Sequence, residues 1–245
     1  MARTTDRSVF PPLMPPAAAS SASPIPTTIV ECAAGHAALR ATLAVPAEAV
    51  AVAIVLHDAA DGRLDPAHAT LIDMLHDAGM ATMRADLCTA DEAHGDHAIG
   101  APFFDVSLLV DRLLEVVAAL RARPETQHLP VGVVGNRAAA AAALYAAAEH
   151  PELVGAVVAR SARPDLAGPF FPRLAAPTLL LVGAHDAETR RINEEAFRHL
   201  QGPRSIEVIL GASHQFVEPG VQEQAALLAR AWLTRHLCPP QAATG

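Results

Sequence analysis

Cysteine is scarce. Cys32, Cys88 and Cys238 are far apart and odd in number, which argues against a disulfide framework and fits a reducing compartment. Long apolar runs are missing too. Nothing approaches the roughly 18 consecutive apolar residues needed to cross a bilayer, and the alanine run 138–143 is short and continues into Tyr145 and Glu149. Positive charge is outweighed, with 18 basic against 26 acidic residues and a net charge of −8. No basic run with interleaved aromatics occurs, so neither nucleic acid nor a membrane is an expected partner. A cytoplasmic location is expected. What the chain does have is length, 245 residues, and an apolar share of 51%. That suffices for one large α/β domain with a self-sufficient core.

Residues 1–26 read as a tail. The stretch 11–26 is proline, alanine and serine, with almost nothing to bury, and such a segment does not offset its ordering entropy. It lacks the continuous apolar core of a secretory signal; a transit peptide, suggested by Arg3 and Arg7, is the weaker alternative. Residues 27–238 form the domain and 239–245 a short C-terminal tail. Within the domain, 28–32 and 39–45 read as strands with Gly35 in the turn. Residues 50–56 are a continuous apolar run, as expected of a strand buried on both faces. Residues 68–78 read as a helix ended by Gly79, and 80–87 as a strand. Asp105 can cap a helix whose apolar positions Val106, Leu109, Val110, Leu113, Val116, Val117 and Leu120 recur at helical spacing. Strand 131–134, an alanine-rich helix to His150, strands 153–158 and 178–182, helix 187–200, strand 206–209 and helix 221–237 complete the series. Strands alternating with helices predict an α/β fold with a mostly parallel central sheet covered on both faces.

In such sheets ligands gather beyond the carboxyl ends of the strands. The first long strand is followed there by His57, Asp58 and Ala59. The central strand is followed by Gly135, Asn136, Arg137, Ala138 and Ala139. Later strands are followed by Gly183, Ala184, His185 and Asp186, and by Gly211, Ala212, Ser213 and His214. A strand–turn–helix elbow, then an acid, then a histidine is the chain order of an α/β-hydrolase.

The stretches "VGVVGNRAAAAAALYAAAEHPELVGAVVARSARPDLAG", "APTLLLVGAHD" and "VILGASHQFVEPG" resemble the dienelactone-hydrolase-like branch of the α/β-hydrolases. The resemblance spans residues 29–237. It implies an α/β-hydrolase fold, with Asp186 as the triad acid and His214 as the triad base. In this branch the elbow reads G-x-S-x-G or G-x-C-x-G. Here the nucleophile position falls on Arg137, and Ala139 stands where the second glycine belongs. His57, Asp58, Ala59 and Ala138 fall in the pocket and oxyanion region; the loop at Asp58 usually reads His-Gly.

A guanidinium keeps its proton in a protein and is not a nucleophile. Acyl transfer needs a side chain that His214 can deprotonate and that can carry an ester. Two readings of Arg137 follow. In the first and favoured one it pairs with Asp58 or Asp186 and plugs the pocket, since a buried charge must find a partner. In the second, Arg137 and the N-terminus of the helix that it opens bind a carboxylate or phosphate.

Other residues are given plainer roles. Ser161, Ser213 and Cys88 lie near strand ends without an elbow to present them. The group Asp91, Glu92, His94, Asp96 and His97 reads as a solvated acidic loop, not a metal site. Arg63, Asp65 and His68 border the pocket by resemblance, while His76, His150 and His236 sit near helix ends. No metal or cofactor is expected. Three functions stay open: a hydrolase homologue without its nucleophile that binds a small ligand or a partner, an active enzyme using Asp186 and His214 with a non-standard nucleophile or activated water, and a structural partner subunit. Monomer and homodimer are both compatible with the sequence.

Overall fold

The computed structural model describes residues 25–34, 37–57, 66–89, 92, 105–166 and 173–238. Almost all of the expected tails, with Gly35, Asp58, Ala59, Arg63, Asp65, Asp91, His94, Asp96 and His97, lie outside these residues. Eight strands form one sheet: β1 (Thr27–Ala34), β2 (Ala37–Ala44), β3 (Ala51–His57), β4 (Met80–Asp86), β5 (Val131–Asn136), β6 (Ala156–Arg160), β7 (Thr178–Gly183) and β8 (Arg204–Ile209). Their order is β1-β2-β4-β3-β5-β6-β7-β8. β1–β2 and β2–β4 pair antiparallel, and every other neighbouring pair is parallel. The expected mostly parallel α/β sheet is therefore present.

Among the described residues five helices cover it: α1 (Pro66–Asp77), α2 (Val106–Arg121), α3 (Arg137–Glu149), α4 (Ala187–His199) and α5 (Val221–Leu237). α1 and α5 pack together on one face, over a core that includes Leu75, Trp232 and Leu233. α2 and α3 pack on the other, over Leu113, Val133 and Leu144. β5 alternates between the two cores, with Val131 and Val133 facing one and Val134 the other.

α3 is buried all round, from Ala138 to Ala148 apart from Tyr145. An amphipathic stripe would not serve a helix clamped between α2 and the sheet; an apolar cylinder does. Its alanines also let it approach β5 closely. A Cβ on Gly135 would lie 2.9 Å from the backbone nitrogen of Ala140, so the strand must be bare at that point.

Local chemistry sets the element ends. Asp105 caps α2 by accepting from the Leu108 N–H at 3.1 Å. Gly79 follows α1 with φ +72°, a conformation open to glycine. One strand is displaced from expectation: residues 153–158 contain β6 only from Ala156. Leu153 and Val154 instead donate to the His150 carbonyl in the turn that leaves α3. Pairing with β5 begins only where Gly132 meets Ala156.

Candidate functional site

Arg137 stands at the turn between β5 and α3 with φ +45°. A left-handed backbone is costly for a residue with a Cβ, and such strain persists only where surrounding structure enforces it. The turn is thus the sharp strand-to-helix elbow that the sequence order implies. Asn136 occupies the N-cap position of α3 but makes no side-chain cap bond. Ala138 and Ala139 are buried behind the elbow at 9% and 3% exposure. Arg137 itself is partly buried and engaged with a neighbouring group.

The loops after β6, β7 and β8 converge beside this elbow. The backbone nitrogens of Ala184 and His185 donate to the carbonyls of Ile209 and Ala212, both at 3.0 Å. A Cβ on Gly183 would meet the Ala212 and Ser213 carbonyls at 2.5 Å. The Asp186 turn and the His214 turn therefore lie against each other, as the resemblance implies.

Their side chains are used differently. An Asp186 carboxylate oxygen accepts from the Thr189 N–H at 3.1 Å and caps α4. This follows from local chemistry, because a short carboxylate before a helix satisfies one of its orphan N–H groups and the positive end of its dipole. His214 is exposed. Among the described residues no hydrogen bond joins Asp186 to His214, and Asp186 makes no ion pair with Arg137. The residual dyad expected within hydrogen-bond reach is thus not formed by these side chains. Of the two acids proposed as partners for Arg137, Asp58 lies outside the described residues. So does Ala59, and of His57 only the backbone is described, ending β3 in register with Asp86.

A residue that sequence reasoning set aside holds the loops together. Ser161, just past β6, has φ +41° and is 4% exposed. Its hydroxyl donates to the His214 carbonyl at 2.9 Å, and its N–H donates to the Leu181 carbonyl at 2.9 Å. The next residue, Ala162, offers its carbonyl to the Nδ2 of Asn193 at 2.9 Å. Arg163 then donates its N–H to the Arg137 carbonyl at 3.3 Å. Three consecutive residues thus touch the elbow, the histidine loop and the helix capped by Asp186. The structure buries Asn193 fully, inside a helix otherwise rich in charge.

Further round the site, Ser213 donates its N–H to Glu218 Oε1 at 3.0 Å. Hydrogen bonds from Ser213 hold the Glu218 carboxyl below its usual range. Cys88 is buried just beyond β4. His68, read as the start of a helix bordering the pocket, is in the first turn of α1 and buried. Among the described residues no group of three or more His, Cys, Asp or Glu could hold a metal ion, and no helix is long and apolar enough to cross a membrane.

Known proteins share this fold. A dienelactone hydrolase from Anabaena variabilis has the same fold with a TM-score of 0.81 and 38% identity, over 87% of this chain and 99% of that one. A dienelactone hydrolase-like promiscuous phosphotriesterase from metagenomic libraries shares the fold with a TM-score of 0.70 at 19% identity, over 88% and 99% of the two chains. A Mycobacterium tuberculosis protein named "Putative phosphoribosyl transferase" is 37% identical over 235 residues, which are 96% of this chain and 49% of that protein. The chain thus spans about half the length of the curated relatives that it matches. The dienelactone hydrolase family model matches residues 39–236. With the family model matching most of the chain and the same fold in a dienelactone hydrolase 38% identical, the chain belongs to the dienelactone hydrolase family.

Proposed function

We propose that this chain is a dienelactone-hydrolase-family domain that has lost nucleophilic acyl transfer and serves as a binding module. The observation that carries this reading is Arg137 at the strained elbow, φ +45°, where a serine or cysteine would have to stand. The backbone geometry that presents a nucleophile is retained while the side chain on it cannot attack a carbonyl. Two further observations support it. The Ser161 hydroxyl is spent on the His214 carbonyl, not its imidazole. One oxygen of the Asp186 carboxylate accepts from the first turn of α4.

The elbow suits an anionic group. α3 begins there, and its first N–H groups, at the positive end of the helix dipole, receive no side-chain cap from Asn136. A carboxylate or phosphate on a small molecule or partner protein is the matching chemistry. The named activity of the mycobacterial relatives belongs to proteins twice as long and is not assigned to this chain.

Hydrolysis of p-nitrophenyl acetate by the wild-type chain and a His214→Ala variant tests the reading. Equal background rates are expected. Turnover that disappears in the variant would instead establish the competing reading, an active hydrolase that uses His214 with another nucleophile or a water.

A further inference from the structure

One peptide unit joins α4 to the elbow. A trans peptide is planar and carries its C=O and N–H on opposite sides. In the unit between Ala162 and Arg163, the Ala162 carbonyl accepts from Asn193 Nδ2 at 2.9 Å. The Arg163 N–H, the other end of the same plane, donates to the Arg137 carbonyl at 3.3 Å. Fixing one end of a rigid plane aims the other.

Asn193 is placed to do the fixing. It lies fully buried inside α4, where an unpaired amide would be costly and an apolar residue would be the simpler choice. Its Nδ2 also donates to the Thr189 carbonyl one turn earlier, at 2.8 Å. Both N–H bonds of the amide are thus used, and its own helix sets its direction. Ala162 is fully buried too, so bulk water does not stand in for Asn193 at that carbonyl. The conformation held at the far end is not a relaxed one. Arg137 has φ +45°, disfavoured for a residue with a Cβ and kept only where its surroundings enforce it. Rotation of the elbow out of this region would carry the Arg137 carbonyl away from Arg163.

We propose that Asn193 is the positioning residue of the elbow: through the 162–163 peptide it holds residue 137 in its left-handed conformation and so sets where that side chain is presented. This goes beyond the reading of Arg137 as an anion site, because the backbone lock is the same whatever the side chain at 137 meets.

Protein NMR on the full chain reads the lock directly. The one-bond Cα–Hα coupling and the Cα shift distinguish left-handed backbone from right-handed and extended backbone. In the wild type, Arg137 and Ser161, whose φ is +41°, are both expected to give left-handed values. Asn193→Leu removes both donors at similar volume. It is expected to move Arg137 out of the left-handed region and to speed amide exchange at Arg163 at least tenfold. Ser161, held by its own bonds to Leu181 and His214, is expected to keep its values. Asn193→Ala removes the same donors with a smaller side chain and serves where leucine does not fold. A residue that only stabilised α4 would lower the melting temperature and leave the Arg137 coupling unchanged, and that result in either folded variant overturns the assignment. Movement of Ser161 together with Arg137 also overturns it, since the whole loop would then have been released. Without any variant, hydrogen-bond scalar couplings from Asn193 Nδ2 to the Ala162 carbonyl and from the Arg163 nitrogen to the Arg137 carbonyl are expected in the wild type, and their absence overturns it as well.

Discussion

The Ser161 hydroxyl donates to the backbone carbonyl of His214 across 2.9 Å. It ties the end of one strand to the loop that carries His214, and Ser161 adopts φ +41° there. A left-handed serine costs on the order of 1–2 kcal/mol, so the bond offsets strain as well as fixing the loop. Ser161→Ala is therefore expected to lower stability by about 1 kcal/mol and to speed amide exchange in residues 211–218. Hydrogen exchange followed by mass spectrometry reads this directly. Unchanged exchange in that loop would show that Ser161 does not hold it.

The double variant Arg137→Ser with Ala139→Gly restores the family's elbow pattern. Slow turnover of p-nitrophenyl acetate above the wild-type background is expected, and further substitution of His214→Ala should remove it. Gain of activity requires the second Asp186 oxygen, which the cap does not use, to reach His214, or His214 to act without it; losing such an orienting acid is known to cost several orders of magnitude in rate. A low rate is therefore the expected result. A folded variant with no turnover would mean that the acid and histidine turns can no longer cooperate.

Gly135 tests the close approach of α3 to β5. Gly135→Ala would place a Cβ 2.9 Å from the Ala140 nitrogen and 3.0 Å from the Ala139 carbonyl carbon, both backbone atoms of a buried helix. The helix must shift, and overpacking of this kind costs about 1–3 kcal/mol. Urea denaturation measures it. A change under about 0.5 kcal/mol would show that α3 yields easily.

Acid should weaken the fold in two windows. Burial pushes His76 and His236 below their ordinary value of 6.5. A depressed folded value means that their contribution is present above 6.5 and lost as pH falls below it. The Arg112 guanidinium, bonded to Glu92 at 2.6 and 2.7 Å, holds that carboxyl down at about 2, against an ordinary 4.5. Its contribution is present above 4.5 and disappears as pH falls toward 2. Denaturation midpoints measured from pH 7.5 to 2.5 should therefore decline in two stages. Glu92→Gln should shrink the lower stage, to which Asp165 and Glu218 also contribute, and leave the upper one.

The fold was largely legible in the sequence because its signals are local. The apolar strand runs, Gly79 after α1, the Asp105 cap and the amphipathic spacing of α2 each decide their own segment. The order of elbow, acid turn and histidine turn was legible for the same reason. Side-chain partnership was not. Asp186 has a helix beginning one residue later and caps it, and whether its carboxylate also meets His214 depends on orientation, which spacing does not encode. Ser161 looked like a residue without an elbow, yet it carries a positive φ, because the strain comes from bonds to Leu181 and His214, distant in the chain. The displaced start of β6 has the same origin, in a turn that only the end of α3 defines.

Covalent capture is the most direct test of the central claim. The chain contains no lysine, so adducts from activated esters and fluorophosphonates are confined to few kinds of site. Intact-mass measurement after incubation with p-nitrophenyl acetate or diisopropyl fluorophosphate should find the wild-type protein unmodified, and the Arg137→Ser, Ala139→Gly variant labelled once at position 137. A stoichiometric adduct on the wild-type chain, mapped to Ser161, Ser213 or Cys88 and absent after His214→Ala, would contradict the account.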